Sequence, residues 1–134
     1  MNAETDLTTL IKSLKPRTLP ATYVFCSLKD ADYGVLSHTN PLASYAEPEG
    51  LTLVLTRESA NQEGLAYEGT FRCISLQVHS SLKAVGLTAA VTGELAANDI
   101  SANVIAGYHH DHIFVPSRQA EPALRLLETM SSRR

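Results

Sequence analysis

Hydrophobic positions along this chain switch between two periods. Leu7, Leu10, Ile11 and Leu14 recur at helical spacing, with Thr5 or Asp6 ahead of them as an N-cap and Pro16 behind them as a stop. That spacing predicts a helix over residues 6–14. The run TYVFCSL at 22–28 is rich in β-formers and predicts a strand. From Lys29 to Gly50 the pattern breaks, and Asp30, Gly34, Asn40-Pro41, Pro48 and Gly50 punctuate an irregular loop with room for one short strand. A connection that long in a small protein is often functional or paired at a sheet edge. LTLVLT, from Leu51 to Thr56, predicts a strand running straight into a short helix, RESANQE, closed by Gly64.

The second half is more regular. Residues 71–79 alternate, placing Ile74, Leu76 and Val78 on one face and Cys73, Ser75 and Gln77 on the other. Val85, Thr88, Val91, Leu95 and Asn98 then recur at helical spacing in an Ala-rich, Pro-free stretch, which predicts a helix over 84–98. Ile100–Ala106 and His112–Pro116 read as two strands around a turn at Gly107–Asp111. Ala120, Ala123, Leu124 and Leu127 form the stripe of a last helix, with Pro122 tolerable in its first turn.

From residue 71 the order is therefore β-α-β-β-α, which predicts an α+β fold: a two-layer sandwich with an antiparallel-rich sheet and its helices on one face. The closing strand of a βαββαβ unit is missing after Leu127. LTLVLT, TYVFCSL or a strand from a second copy would fill the slot. The halves 1–68 and 69–134 would then interlock across a shared sheet.

Composition narrows the functional classes. At 134 residues the chain is long enough to bury a core, and 44% hydrophobic with 19% charged residues is an ordinary globular balance. A net charge of -3 with no basic stripe argues against a nucleic-acid partner. No apolar run approaches the ~20 residues of a membrane span. The N-terminus has acids where a signal peptide carries bases, so a cytoplasmic location is expected. Cys26 and Cys73 sit in apolar runs and read as buried thiols in a reducing compartment.

Two stretches carry a family resemblance: Glu47 to Ala60 (EPEGLTLVLTRESA) and Val78 to Pro116, with its phrasing LAANDI at Leu95–Ile100 and DHIFVP at Asp111–Pro116. The second resembles an ACT domain, as found in small stand-alone ACT-like proteins and in the CASTOR-type arginine sensors. The resemblance implies a ferredoxin-like ACT sandwich, with a βαββα second half and an incomplete ACT-like first half. It also implies regulatory binding of an amino acid, often between two such units. The missing closing strand predicts a homodimer between chains.

The candidate site residues are Ser80, Ser81, Val85, Gly86, Leu87, Asn103, Gly107, Tyr108 and Asp111. The start of the predicted helix offers unpaired N–H groups to a carboxylate, and Gly86 permits close approach to the backbone. The bland alternative is that Ser80 and Ser81 cap the helix while Gly86 relieves crowding. Asn103 would flank the loop from its strand, although a polar strand residue usually faces solvent. Asp111 matches a ligand contact of the arginine sensors; its plain alternative is a turn Asp bonded to its own backbone. Those sensors carry a further acidic residue just before the glycine, where this chain has Lys83-Ala84. A guanidinium is gripped best by paired carboxylates, so arginine is not the expected ligand.

Two other classes compete. His109, His110, Asp111 and His112 could suit a transition metal and a metal-dependent enzyme. In an extended segment, however, His110 and His112 share one face while His109 and Asp111 share the other, so at best two ligands converge. No second metal motif and no nucleophile elbow accompanies them, so neither catalysis nor a cofactor is expected. The third class is a dimerisation or interaction module that uses an exposed strand edge without any ligand.

Overall fold

The computed structural model describes residues 5–133. The chain enters one compact unit twice, through residues up to Pro20 and again from Arg72 onward, and forms a second unit from Ala21–Phe71.

In the first unit, helix α1 spans Leu7–Lys12, and Asp6 caps it by accepting from the Thr9 N–H. Strand β1 covers Pro16–Leu28, of which the first five residues belong here. Strand β4 (Phe71–Leu76), helix α3 (Leu87–Ala97), strands β5 (Asn103–Ala106) and β6 (Asp111–Pro116), and helix α4 (Ala120–Ser132) follow. The sheet order of this unit is β1-β4-β6-β5. β5 and β6 form an antiparallel hairpin from Asn103↔Phe114 to Ala106↔Asp111. The slot that the second half leaves empty, beside β4, is thus taken by β1 from the first half, and β1 starts six residues earlier than the β-rich run that predicted it. Pro16 does end α1, but as the first residue of a strand it forfeits no ladder bond that the sheet needs.

The core of this unit lies on one face of that sheet. Ile74, Leu76 and Val78, with Ile113 and Val115 of β6, pack against Leu10 and Leu14, against Leu87, Val91 and Leu95 of α3, and against Ala123 and Leu127 of α4. Each helix contributes one stripe, as its period requires. Arg133 ties the end of α4 to Glu94 of α3 through two hydrogen bonds of 3.1 and 3.2 Å. The arrangement is a two-layer α+β sandwich of the ferredoxin-like ACT kind.

In the second unit the order is β2-β3-β1, with β2 at Ala43–Glu47 and β3 at Gly50–Thr56. β2 and β3 form a hairpin closed at Glu47↔Gly50, and β3 pairs antiparallel with β1 from Tyr23↔Thr56 to Leu28↔Leu51. Helix α2 (Arg57–Gln62) starts at once after β3, because the Thr56 hydroxyl caps it by accepting from the Ser59 N–H. Val24, Cys26, Leu51, Leu53, Leu55 and Ala60 form the core of this unit. The irregular stretch after Leu28 holds a single 3-10 turn at Ser37–Thr39, and Val35 and Leu36 reach back onto that core.

Candidate functional site

The loop from Gln77 to Gly86 and the turn from Gly107 to His110 both belong to the first unit, and β4 and β6 bring them together as neighbouring strands. Asp111 opens β6, and the Ser80 hydroxyl points at its Oδ2 across a long 3.4 Å. Ser81 serves its own turn, its Oγ accepting from the Lys83 N–H at 3.0 Å. Neither serine caps α3, so the capping alternative is set aside. The helix begins three residues later than its apolar spacing suggests, and Gly86 is its N-cap, with φ of +100° and no side-chain acceptor. That left-handed conformation suits a residue without Cβ, and an added Cβ would sit 3.2 Å from Leu7 Cδ2. The first-turn N–H groups of α3 therefore have no side-chain cap, as an anion-receiving helix start requires.

The remaining candidates divide. Val85 and Tyr108 are exposed at 83% and 75%, beside Leu82 at 66%, so three large apolar side chains rim the loop and the turn. Leu87 points into the core and offers only its backbone. Gly107 closes the turn by donating its N–H to the His110 carbonyl at 2.9 Å, and a Cβ there would collide with that same oxygen. Asn103 stands apart. It faces Phe114 at the far end of β5, three register steps from Ala106↔Asp111, or about 10 Å along the strand.

Histidine chemistry fills much of what the sequence reading left unassigned. His79, on the loop after β4, lies beside His109 with tilted rings whose centroids are 5.1 Å apart, and lies 6.4 Å from His110. His110 Nδ1 is 3.3 Å from the Val78 carbonyl. His112 leaves the cluster altogether, with its Nδ1 hydrogen-bonded to the buried Ser75 hydroxyl on β4. Burial holds the His112 imidazole below its ordinary range, His110 pushes it further the same way, and Asp111 opposes them. Alternation on β4 placed Ser75 away from the helices; that a histidine from β6 would meet it there needed the strand order. Among the described residues no group of three or more His, Cys, Asp or Glu is arranged to hold a metal ion.

The second unit has grooves of its own. One of about 500 Å³ is lined by Asp30, Asp32, Tyr33 and Glu47, and another of about 330 Å³ by Tyr33, Asn40 and Leu42. Both are built by the irregular stretch that resisted reading.

Comparison with known proteins closes the argument. An ACT-domain family model matches residues 2–72, and a second ACT-domain model matches residues 68–129. A protein of unknown function from Vibrio cholerae, described as a possible transport protein, is 48% identical. The match covers 94% of this chain and 96% of that one, with a TM-score of 0.85. A protein from Agrobacterium tumefaciens shares the fold at 19% identity and a TM-score of 0.73, covering 88% and 89% of the two chains. The regulatory subunit of aspartate kinase from Thermus thermophilus shares it at 9% identity and a TM-score of 0.60, covering 88% and 98%. The search of curated proteins returns no match. With one family model over each half, the chain belongs to the ACT-domain family.

Proposed function

We propose that this chain is a regulatory protein that binds a small amphoteric metabolite, an amino acid, and carries out no catalysis of its own. ACT domains are typically regulatory amino-acid-binding modules, and the site geometry supports that use here. The observation that carries the reading is the meeting of Ser80 with Asp111 on the segment that leads into an uncapped helix start. Asp111 would accept from the ligand's ammonium group in a charge-assisted hydrogen bond, and Ser80 would orient that carboxylate. The backbone N–H groups after Gly86 would receive the ligand's carboxylate. Val85 and Tyr108 would cover the ligand's side chain, and Ser81 and Gly107 would hold the loop and the turn in shape. Leu87 would take part through its N–H, and Asn103 only from the periphery.

Asp111 is the one carboxylate among the Gln77–Gly86 loop, the Gly107–His110 turn and strand β6, so a guanidinium would lack its second partner there and arginine is not proposed. The protein acts in the cytoplasm as a homodimer, without nucleic acid or membrane as partner. The net charge of -3 supports the former exclusion. For the latter, no described helix is long and apolar enough to cross a membrane.

A second reading is favoured by the exposed Leu82, Val85 and Tyr108: the same rim covered by another protein surface, with no ligand. Thermal-shift measurement against each of the twenty amino acids separates the two. A ligand that binds only the folded state at a hundredfold excess over its Kd adds about 2.7 kcal/mol, so at least one amino acid should raise Tm by several degrees. No shift with any of them would leave the interaction module as the better account.

A further inference from the structure

Three imidazoles cluster where the Gln77–Gly86 loop meets the Gly107–His110 turn, and the ligand reading above assigns them no task. His79, His109 and His110 have centroid separations of 5.1, 6.4 and 6.2 Å, and Tyr108 meets His109 edge to face at 5.1 Å. We propose that this cluster is a proton gate on the candidate site: neutral rings hold the Gly107–His110 turn against residues 78–80, and protonation lifts the turn away and makes the site cationic.

The side-chain contacts between the turn and residues 78–80 include long, soft ones. They are the ring contacts, the 3.3 Å approach of His110 Nδ1 to the Val78 carbonyl, and the 3.4 Å Ser80–Asp111 contact at the turn's end. Both polar distances are longer than an ordinary hydrogen bond. Imidazole gains its charge in the range around pH 6.5. Two imidazolium rings at these separations stand inside the screening length of about 8 Å at physiological ionic strength, so salt does not silence their repulsion. The charged and titratable groups on the same loop, turn and strand are Lys83, Tyr108, Asp111 and His112, and Lys15 lies on the segment whose backbone receives the Gln77 N–H. Three protonated rings would add three positive charges with one carboxylate, Asp111, on those segments to share among them. His112 adds no relief. Its ring is engaged by Ser75, and burial and His110 both disfavour its charge. Acid therefore acts twice, by repulsion within the cluster and by drawing Asp111 onto an imidazolium and away from a ligand's ammonium group. The second effect rests on the proposed amino-acid site; the first does not.

The test is an NMR titration of the full chain without ligand from pH 8 to pH 5. It follows the histidine ring C2–H signals together with the amides of residues 78–80 and 107–111. The gate predicts that those amides shift in step with the rings. It also predicts that hydrogen exchange at 107–111 speeds up about tenfold beyond its intrinsic pH dependence, while α3 and α4 amides stay fixed. H79Q and H109Q, each removing one charge from the cluster, should suppress most of the response. Rings that titrate while the turn amides stay still would overturn the gate, as would an undiminished response in both variants. A second arm takes whichever amino acid raised Tm and measures its affinity at pH 7.5 and pH 5.5. Wild type should lose about tenfold or more on acidification and H79Q only a few-fold. Amide movement with no amino acid bound at either pH supports the gate and removes the ligand reading. Binding with silent amides does the reverse.

Discussion

Cys73 is wholly buried on β4, and burial pushes its thiol up to about 12. At pH 8 the thiolate is then about one part in ten thousand, and thiolate is the reactive species. Burial raises Cys26 as well. A thiol reagent at pH 8 should label neither cysteine in the native protein and both after denaturation; prompt native labelling would contradict this. His112 makes a pH prediction. Its folded value is depressed, so the unfolded chain binds the proton more readily. Its contribution to stability is complete above the ordinary imidazole range and is lost as pH falls from that range through the depressed folded value. The urea midpoint should drop between pH 7.5 and pH 5.5, and H112Q should flatten the change. A midpoint that is level in wild type, or an unaltered slope in the variant, would contradict it. Residues of this kind were half legible. Alternation put Ser75 opposite Ile74 and Leu76, but the Ser75–His112 pair depends on β4 lying beside β6, which no local pattern encodes.

At the scale of elements, periodicity found the helices and strands and blurred their ends. α3 reads from Ala84 because Val85 fits the apolar stripe, yet Gly86 turns the backbone left-handed and the helix starts at Leu87. Val85 is left exposed on the loop. β1 reads from Thr22, where the run of β-formers begins, yet the strand already starts at Pro16 and its first five residues belong to the first unit. β2 lies inside the stretch whose Gly, Pro and Asp punctuation suggested a loop with one short strand. The Gly86 corner carries its own prediction. G86A forces Cβ into the left-handed region and against Leu7 Cδ2, and the strain of such a position costs about 1–2 kcal/mol. The substitution should lower the urea midpoint accordingly, whereas G93A, mid-helix with open space at its Cβ, should raise it. Equal effects of the two would contradict the assigned helix start.

The whole molecule shows what composition and order could convey and what they could not. The β-α-β-β-α run from residue 71 disclosed both the fold class and the missing strand. The gap leaves a choice among two first-half segments and a strand from a second copy, and the sheet order places β1 there. The candidate site was legible where residues lie on one loop and one turn, and illegible for Asn103, which the register carries to the other end of β5. The proposed dimer rests on edges: β2 and β5 each end a sheet order, and strand edges favour association. Sedimentation at high micromolar concentration should show a dimer; a monomer would remove that part of the account.

The central claim is an amino-acid site with Asp111 as its cation-binding group, and calorimetric titration of wild type and D111A tests it most directly. A hydrogen bond to a charged group contributes about 1.5–3 kcal/mol, so D111A should bind the amino acid that emerges from the thermal screen roughly ten- to a hundredfold more weakly. Asp111 lies at a turn and contributes nothing to either hydrophobic core, so the variant should fold as wild type does. Equal affinity in a folded D111A would contradict the account.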